Sequence, residues 1–280
     1  MKRTDAKVLL PFIEENQLKG FVNKECAGLS EQDINHAWRE RQNMIQPLSK
    51  KQECRLHAMS DEEQQALFDE EDIQAFYEND IAFMWLENWG SAVPLKPFIA
   101  DEPCRKYRKS IKSKDDVLKL CLGTIQRKEG AFKIERTGDE SLLRISILSD
   151  MRNMSLRGYE IIPSKKRREV NVSMTVGLSS PFIEAIAFDR NVFIINGIQR
   201  LCAIHEAGYE DMRIPCIIYS EQVFEKIRYS QAYGDDLIEV APLPAVADFF
   251  NEELTFSFKM KSSLKHVQII VSDVVVPGNY

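Results

Sequence analysis

The sequence lacks a basic excess: 37 Lys and Arg face 43 Asp and Glu, a net charge of −6. A domain that coats nucleic acid is expected to be basic, so that class is disfavoured overall. Gly and Pro are sparse, 23 of 280 residues together, too few for a collagen-like or disordered chain. Long apolar runs are absent as well. The longest, such as Ile81–Leu86, hold six residues, and a membrane-spanning helix needs about 20. Val8–Ile13 follows Lys2 and Arg3 but is cut short by Glu14 and Glu15, a poor signal peptide. The expectation is a cytoplasmic chain with no membrane partner. None of the six cysteines stands in a C-x-x-C pair, so reduced, mostly buried thiols are expected rather than a disulfide framework. Cys54 and His57 form a C-x-x-H with no second ligand pair at zinc-site spacing, and no metal site is assigned.

What remains is ordinary globular composition, 44% apolar and 29% charged. The length suits about two domains at roughly 150 residues each. Residues 1–120 read as mostly helical. Ser30 to Asp33 resembles a helix start, with Pro47 ending the pattern. Ser60 and Glu63 have capping-box spacing, and Phe68 and Ile73 bracket Asp69 as a hydrophobic staple. Ile73, Phe76, Tyr77, Ile81, Met84 and Trp85 then recur at helical spacing, a packing stripe or a dimer face. Residues 60–90 hold ten acidic side chains and no basic one, while 105–114 hold six basic and no acidic. The basic run reads either as a phosphate-facing patch or as a solvated face. A second run, Lys165 to Arg168, has the same two readings.

Beyond about residue 140 the texture becomes strand-rich. Leu142–Leu148 and Tyr159–Ile162 read as strands. Phe182–Phe188 and Val192–Ile195 read as a hairpin around a three-residue turn, Asp189 to Asn191. Ile198–Ala207 reads as a helix stopped by Gly208, Ile214–Tyr219 as a strand and Ser220–Ala232 as a helix. Thr255–Met260 and Val267–Val276 read as a closing strand pair. The expected class is α+β: a helical region over 1–120, a mixed-sheet domain over 140–220, and a helix and strand pair over 221–280 packing on it.

Chemistry concentrates at Asn196-Gly197-Ile198-Gln199-Arg200. A strand runs into Asn196-Gly197 and a helix begins at once. The first turn of a helix offers unpaired amides and the positive end of its dipole. Glycine lets an anion approach that backbone, and a guanidinium matches phosphate oxygens. The alternative is a tight turn with Arg200 in a structural ion pair.

The order strand, Asn196-Gly197, two residues, Arg200, short helix, Ala207-Gly208 and a strand at Ile214-Pro215 resembles the ParB/sulfiredoxin-like superfamily. Met174–Ser180 with Phe182–Ile195 is similar to a group of bacterial proteins carrying this domain. The resemblance implies a ParB/sulfiredoxin-like mixed sheet and a nucleotide or other phosphate-bearing ligand, ATP or CTP with Mg²⁺, held at Asn196, Gly197, Gln199 and Arg200. Phosphotransfer or nucleotide hydrolysis would follow. Ile198 stands where sulfiredoxins carry a reactive cysteine, and an alkyl group supplies no thiolate. Ile198, Gln199 and Cys202 also replace the glutamate and two arginines of CTP-binding partition proteins, and Gln199 replaces a histidine of the kinase-like members. These departures motivate the alternative, a noncatalytic regulatory or interaction protein with a protein partner or second copy held through the helical N-terminal region. A DNA-binding partition factor is the third reading.

Glu184, on the hairpin strand, is the candidate catalytic base if it faces the turn; otherwise it pairs at the sheet edge. His205 and Cys202 read as packing residues. Gly177 with Ser179 and Ser180 reads as a second phosphate-facing turn or an ordinary loop.

Overall fold

The computed structural model describes residues 3–16, 18–20, 30–42, 53–68, 73–74, 81–123, 133–138, 142–149, 154–164, 169–178, 182–228, 243–261 and 265–272. The strands are β1 (Arg3–Leu9), β2 (Arg55–Ala58), β3 (Ala82–Glu87), β4 (Val93–Pro94), β5 (Phe98–Ala100), β6 (Lys133–Gly138) and β7 (Leu142–Ser149). They continue with β8 (Met154–Ser164), β9 (Glu169–Leu178), β10 (Glu184–Phe188), β11 (Asn191–Asn196), β12 (Ile214–Tyr219), β13 (Thr255–Lys261) and β14 (Lys265–Ser272). The α-helices are α1 (Glu31–Gln42), α2 (Asp61–Leu67), α3 (Asp101–Ser110), α4 (Lys114–Cys121), α5 (Ile198–Glu206) and α6 (Glu221–Ile227). The chain is therefore mixed α+β.

It divides into two compact units. The first comprises 1–125 and 182–262, the second 126–181 and 263–280. In the first, β1 pairs with β13 and β5 in a three-stranded antiparallel sheet. A six-stranded sheet has the order β2-β3-β12-β10-β11-β4. The β10–β11 hairpin is antiparallel, and α5 carries the chain back so that β12 runs parallel to β10. β11 and β12 flank β10 on opposite sides, so the connection between them has to pass over β10 and is longer than a tight turn.

Burial explains how the sheet is covered. Leu86, Trp89, Leu120, Ile183 and Leu201 meet in one apolar cluster. Ile186, Phe193, Phe224 and Phe249 meet in another, where Phe224 of α6 stacks on Phe188 with ring centroids 4.2 Å apart. Trp89 is fully buried, and its indole N–H donates to the Met212 carbonyl at 3.0 Å. A buried indole needs such an acceptor, since an unpaired donor would cost its desolvation.

Helix starts follow their caps. Ser60 Oγ accepts from the Glu63 amide at 3.2 Å, and the Glu63 carboxylate accepts from the Ser60 amide at 2.8 Å, completing the expected capping box. Ser30 Oγ accepts from the Asp33 amide at 3.2 Å.

Several expectations are corrected. Residues 1–120 hold β1 to β5 as well as helices. The apolar stripe ending at Met84 and Trp85 finishes in β3, an inner strand paired on both sides, rather than on an exposed helix face. That removes Met84 and Trp85 as a helical dimer face. Asp69, Phe76, Tyr77 and Pro47 lie outside the described residues, as do Ser179, Ser180 and the Lys165–Arg168 run. The expected 140–220 domain is divided between the units, with 140–181 in the second and 182–220 in the first. β13 and β14 do not pair with each other: β13 joins β1 and β14 joins β7. The hairpin turn has two residues rather than three. Asp189 and Arg190 both have positive φ, 44° and 62°, the sense that matches strand twist in a tight hairpin.

In the second unit, β14-β7-β6 form one antiparallel sheet, and β8 and β9 form a separate two-stranded ribbon. Gly177 pairs with Ser155 inside that ribbon, so it belongs to a strand and not to a phosphate-facing turn.

Candidate functional site

The Asn196–Gly197 turn joins β11 to α5 as the sequence suggests. Gly197 has φ 101°, a left-handed value that side-chain-bearing residues rarely adopt. Space gives a second reason for glycine. A Cβ built there would lie 2.4 Å from Ile183 Cδ1 and 3.2 Å from Arg200 Nη2. The turn is thus closely covered by Ile183 and by the guanidinium itself.

Arg200 is 5% exposed. Its Nη2 donates to the Phe182 carbonyl at 2.7 Å and its Nη1 to the Leu120 carbonyl at 3.4 Å. Asn196 Nδ2 donates to the same Phe182 carbonyl at 3.4 Å. The Ile183 amide donates to the Cys121 carbonyl at 3.2 Å. Leu120 and Cys121 end α4, where carbonyls have no partner within the helix. A cation there also complements the negative end of the helix dipole. Arg200 and Ile183 therefore join the end of α4, the entry to β10 and the start of α5.

Glu184 is 7% exposed. The Tyr219 hydroxyl donates to its Oε1 at 3.3 Å, and its registered neighbours are Asn196 and Ile217. A bulge in the pairing with β11 follows immediately. Tyr219, half-buried, also packs against two of the apolar clusters, so the acid is buried beside a partly covered hydroxyl. Gln199 and Ile198 are half-buried in the first turn of α5. The structure thus brings Asn196, Gly197 and Arg200 together around the Phe182 carbonyl, with Glu184 two residues along the same segment.

The remaining candidates are packing groups. Cys202 is fully buried, and burial holds its thiol well above the ordinary range, with Cys104 beside it adding to the effect. A protonated thiol is a poor nucleophile. Burial also pushes Cys121 up to about 12. Among the described residues Cys54, Cys104, Cys121, Cys202 and Cys216 are free thiols. His205 stacks on Phe250 with centroids 3.8 Å apart, and burial lowers its pKa. On α3, three side chains of the basic run meet acids: Arg105 meets Asp5 at 3.7 Å, Lys106 meets Glu102 at 3.5 Å and Arg108 meets Glu206 at 4.0 Å.

Two features were not anticipated. His57 Nε2 lies 2.9 Å from Glu87 Oε2, and Arg213 donates to Glu87 Oε1 at 2.9 and 3.0 Å. These two partners hold the Glu87 carboxyl below its usual range. An open cleft of about 540 Å³ is lined by Arg55, His57, Asp189, Arg190 and Glu221 among others. Asn196, Gly197, Gln199, Arg200 and Glu184 are not among the described residues that line it. The spacing of Cys54 and His57 singled out that segment, but the acid that meets the histidine comes from β3, 30 residues on.

The class defined by this architecture is a mixed α+β protein with a tied strand-Gly-helix turn. No protein family, curated protein or solved structure matches the chain. Among the described residues no helix is long and apolar enough to cross a membrane, and no group of three His, Cys, Asp or Glu side chains is placed to hold a metal ion.

Proposed function

We propose that the chain is a noncatalytic regulatory or interaction protein that keeps a ParB/sulfiredoxin-like turn as a structural joint. The observation that supports this reading is the position of Arg200: buried, with its guanidinium donating to the main-chain carbonyls of Phe182 and Leu120. A guanidinium committed in this way would have to give up both hydrogen bonds to reach a phosphate, at a cost of about 1 kcal/mol for each, and would leave the Phe182 and Leu120 carbonyls with only the Asn196 side-chain amide and the Gly123 amide as donors. Glu184, the other candidate for chemistry, is buried against the Tyr219 hydroxyl.

The left-handed Gly197 at the head of α5 favours a second reading, a nucleotide or phosphorylated small molecule at the first-turn amides, ATP or CTP with Mg²⁺. Phosphotransfer or hydrolysis would then be the activity, with Glu184 as base. Calorimetric titration with ATP and CTP, each with Mg²⁺, separates the two. The interaction reading expects no saturable heat. Saturable binding that is lost in Gln199→Glu, which places a negative charge in the first turn without removing the Arg200 bonds, would overturn it in favour of the phosphate ligand.

A further inference from the structure

The second unit carries every large hydrophobic side chain that stands well exposed among the described residues, and none of its residues whose burial is described is buried. The exposure has a pattern. In the β8–β9 ribbon, Tyr159 is paired with Met174 and Ile161 with Val172. Side chains two apart on a strand, and those directly opposite, share a face. These four therefore form one apolar face, and they are 70%, 42%, 57% and 55% exposed. Glu160 is registered with Ser173 and Ile162 with Asn171 on the reverse face. The alternation is what a sheet with one covered face requires, yet Glu160, Ile162, Asn171 and Ser173 on the reverse are exposed as well, so the apolar face is as open as the mostly polar one.

We infer that this face of the β8–β9 ribbon is the contact surface for a second copy of the same chain. Three arguments select that occupant. First, the four side chains leave on the order of 400 Å² of apolar surface open on one face, the size of the largest single patch on a typical monomer, which is often functional. A standard interface takes about 800 Å² from each partner, about 60% of it apolar, so this face supplies most of the apolar share of one half. Second, the four positions carry no charge, so face-to-face apposition about a two-fold axis sets no like charges together. Two-fold contacts of one patch with itself are the commonest oligomer geometry. Third, a two-stranded ribbon alone is marginal in water. Two ribbons stacked by their apolar faces make a four-stranded sandwich with a dry interior, which gives each the core it lacks.

This inference deepens the interaction-protein reading by naming the surface and the partner. Its test is separate: a dimer that also binds nucleotide would leave it standing and overturn the other. Sedimentation of the full chain should give twice 32.3 kDa at roughly 50 μM. Ile161→Lys should weaken self-association by at least about 100-fold, while Glu160→Lys on the reverse face leaves it unchanged. Because Ile161→Lys could also unfold the ribbon, a second measurement uses Val172→Cys with a mild copper oxidant. Two thiols facing each other lose two electrons and two protons to the oxidant as the S–S bond forms. Val172→Cys should yield a covalent dimer on a non-reducing gel, and Asn171→Cys, on the reverse face, should not. A wild-type monomer at that concentration overturns the inference. So does a dimer that survives Ile161→Lys, cross-linking at Asn171→Cys with none at Val172→Cys, or a monomer that instead floats with zwitterionic phospholipid vesicles.

Discussion

The two units use strands in opposite ways. In the first, β10, β11 and β12 pack apolar side chains on their faces, and Ile183, Ile186 and Phe193 are at most 1% exposed. Its backbone is tied across elements by the Arg200 and Ile183 bonds. In the second, strands of 8, 11 and 10 residues in β7, β8 and β9 make long ladders, yet Tyr159 and Ile161 remain open. Ladder length is therefore not what stabilises a sheet. Most of the gain comes from apolar surface removed from water, and a ladder without it stays marginal.

The largest effect that would sharpen this contrast is in amide exchange. In the dispersed Ile161→Lys variant, amides of β10–β12 should exchange at least about a thousandfold more slowly than those of β8 and β9. Equal protection, read by exchange mass spectrometry, breaks the comparison. Next comes the joint itself. Arg200→Ala removes the shorter of the two hydrogen bonds to the Phe182 carbonyl and one of the two to the Leu120 carbonyl, leaving only the Asn196 side-chain amide and the Gly123 amide as their donors, and should cost the first unit about 2 kcal/mol in urea unfolding. A cost near zero would mean that the joint contributes nothing to the contrast. A smaller effect lies at the hairpin turn. Arg190 holds φ 62°, which costs a residue bearing a side chain about 1 kcal/mol. Arg190→Gly should raise stability by up to that amount, offset in part by the freer unfolded chain; thermal unfolding checks it.

The smallest effect is in acid. His57 and Arg213 lower the Glu87 carboxyl in the folded state. A lowered carboxyl stabilises the fold above its unfolded value, and that contribution is lost as pH falls through the lower folded value. The melting temperature of the first unit should decline as pH falls below the ordinary carboxylate range, and Glu87→Gln should flatten the decline. An unchanged slope would dissociate Glu87 from the acid response.

How much was legible in the sequence follows the range of each interaction. The Ser60–Glu63 box, the β10–β11 hairpin, α5 and β12 are set by residues within a few positions of one another, and their spacing announced them. β3 was hidden. Its sequence, Ala82-Phe-Met-Trp-Leu-Glu87, continues a helical stripe, and a short apolar run paired on both sides carries no clear alternation to oppose that reading. β4 and β5, with two and three residues, are too short to show a period. β13 and β14 looked like a pair because they are adjacent, but their partners are β1 and β7, chosen by long-range register. At the turn, the strand-Gly-helix geometry was legible. The partners of Arg200 were not, because both are main-chain carbonyls, one of them 80 residues away, and every residue type has a carbonyl.

The hydrogen bond from the Ile183 amide to the Cys121 carbonyl has a topological corollary. The chain departs from the first unit just after Cys121 and rejoins it just before Ile183, so the doorway is latched shut whatever is threaded through it. Lengthening a loop whose ends are already fastened is inexpensive, about 0.6 kcal/mol for each doubling. That makes this seam a permissive splice point where the loops of the excursion can be enlarged or shortened while the host sheet keeps its own geometry, although exchanging the whole excursion would also take β7 from its pairing with β14.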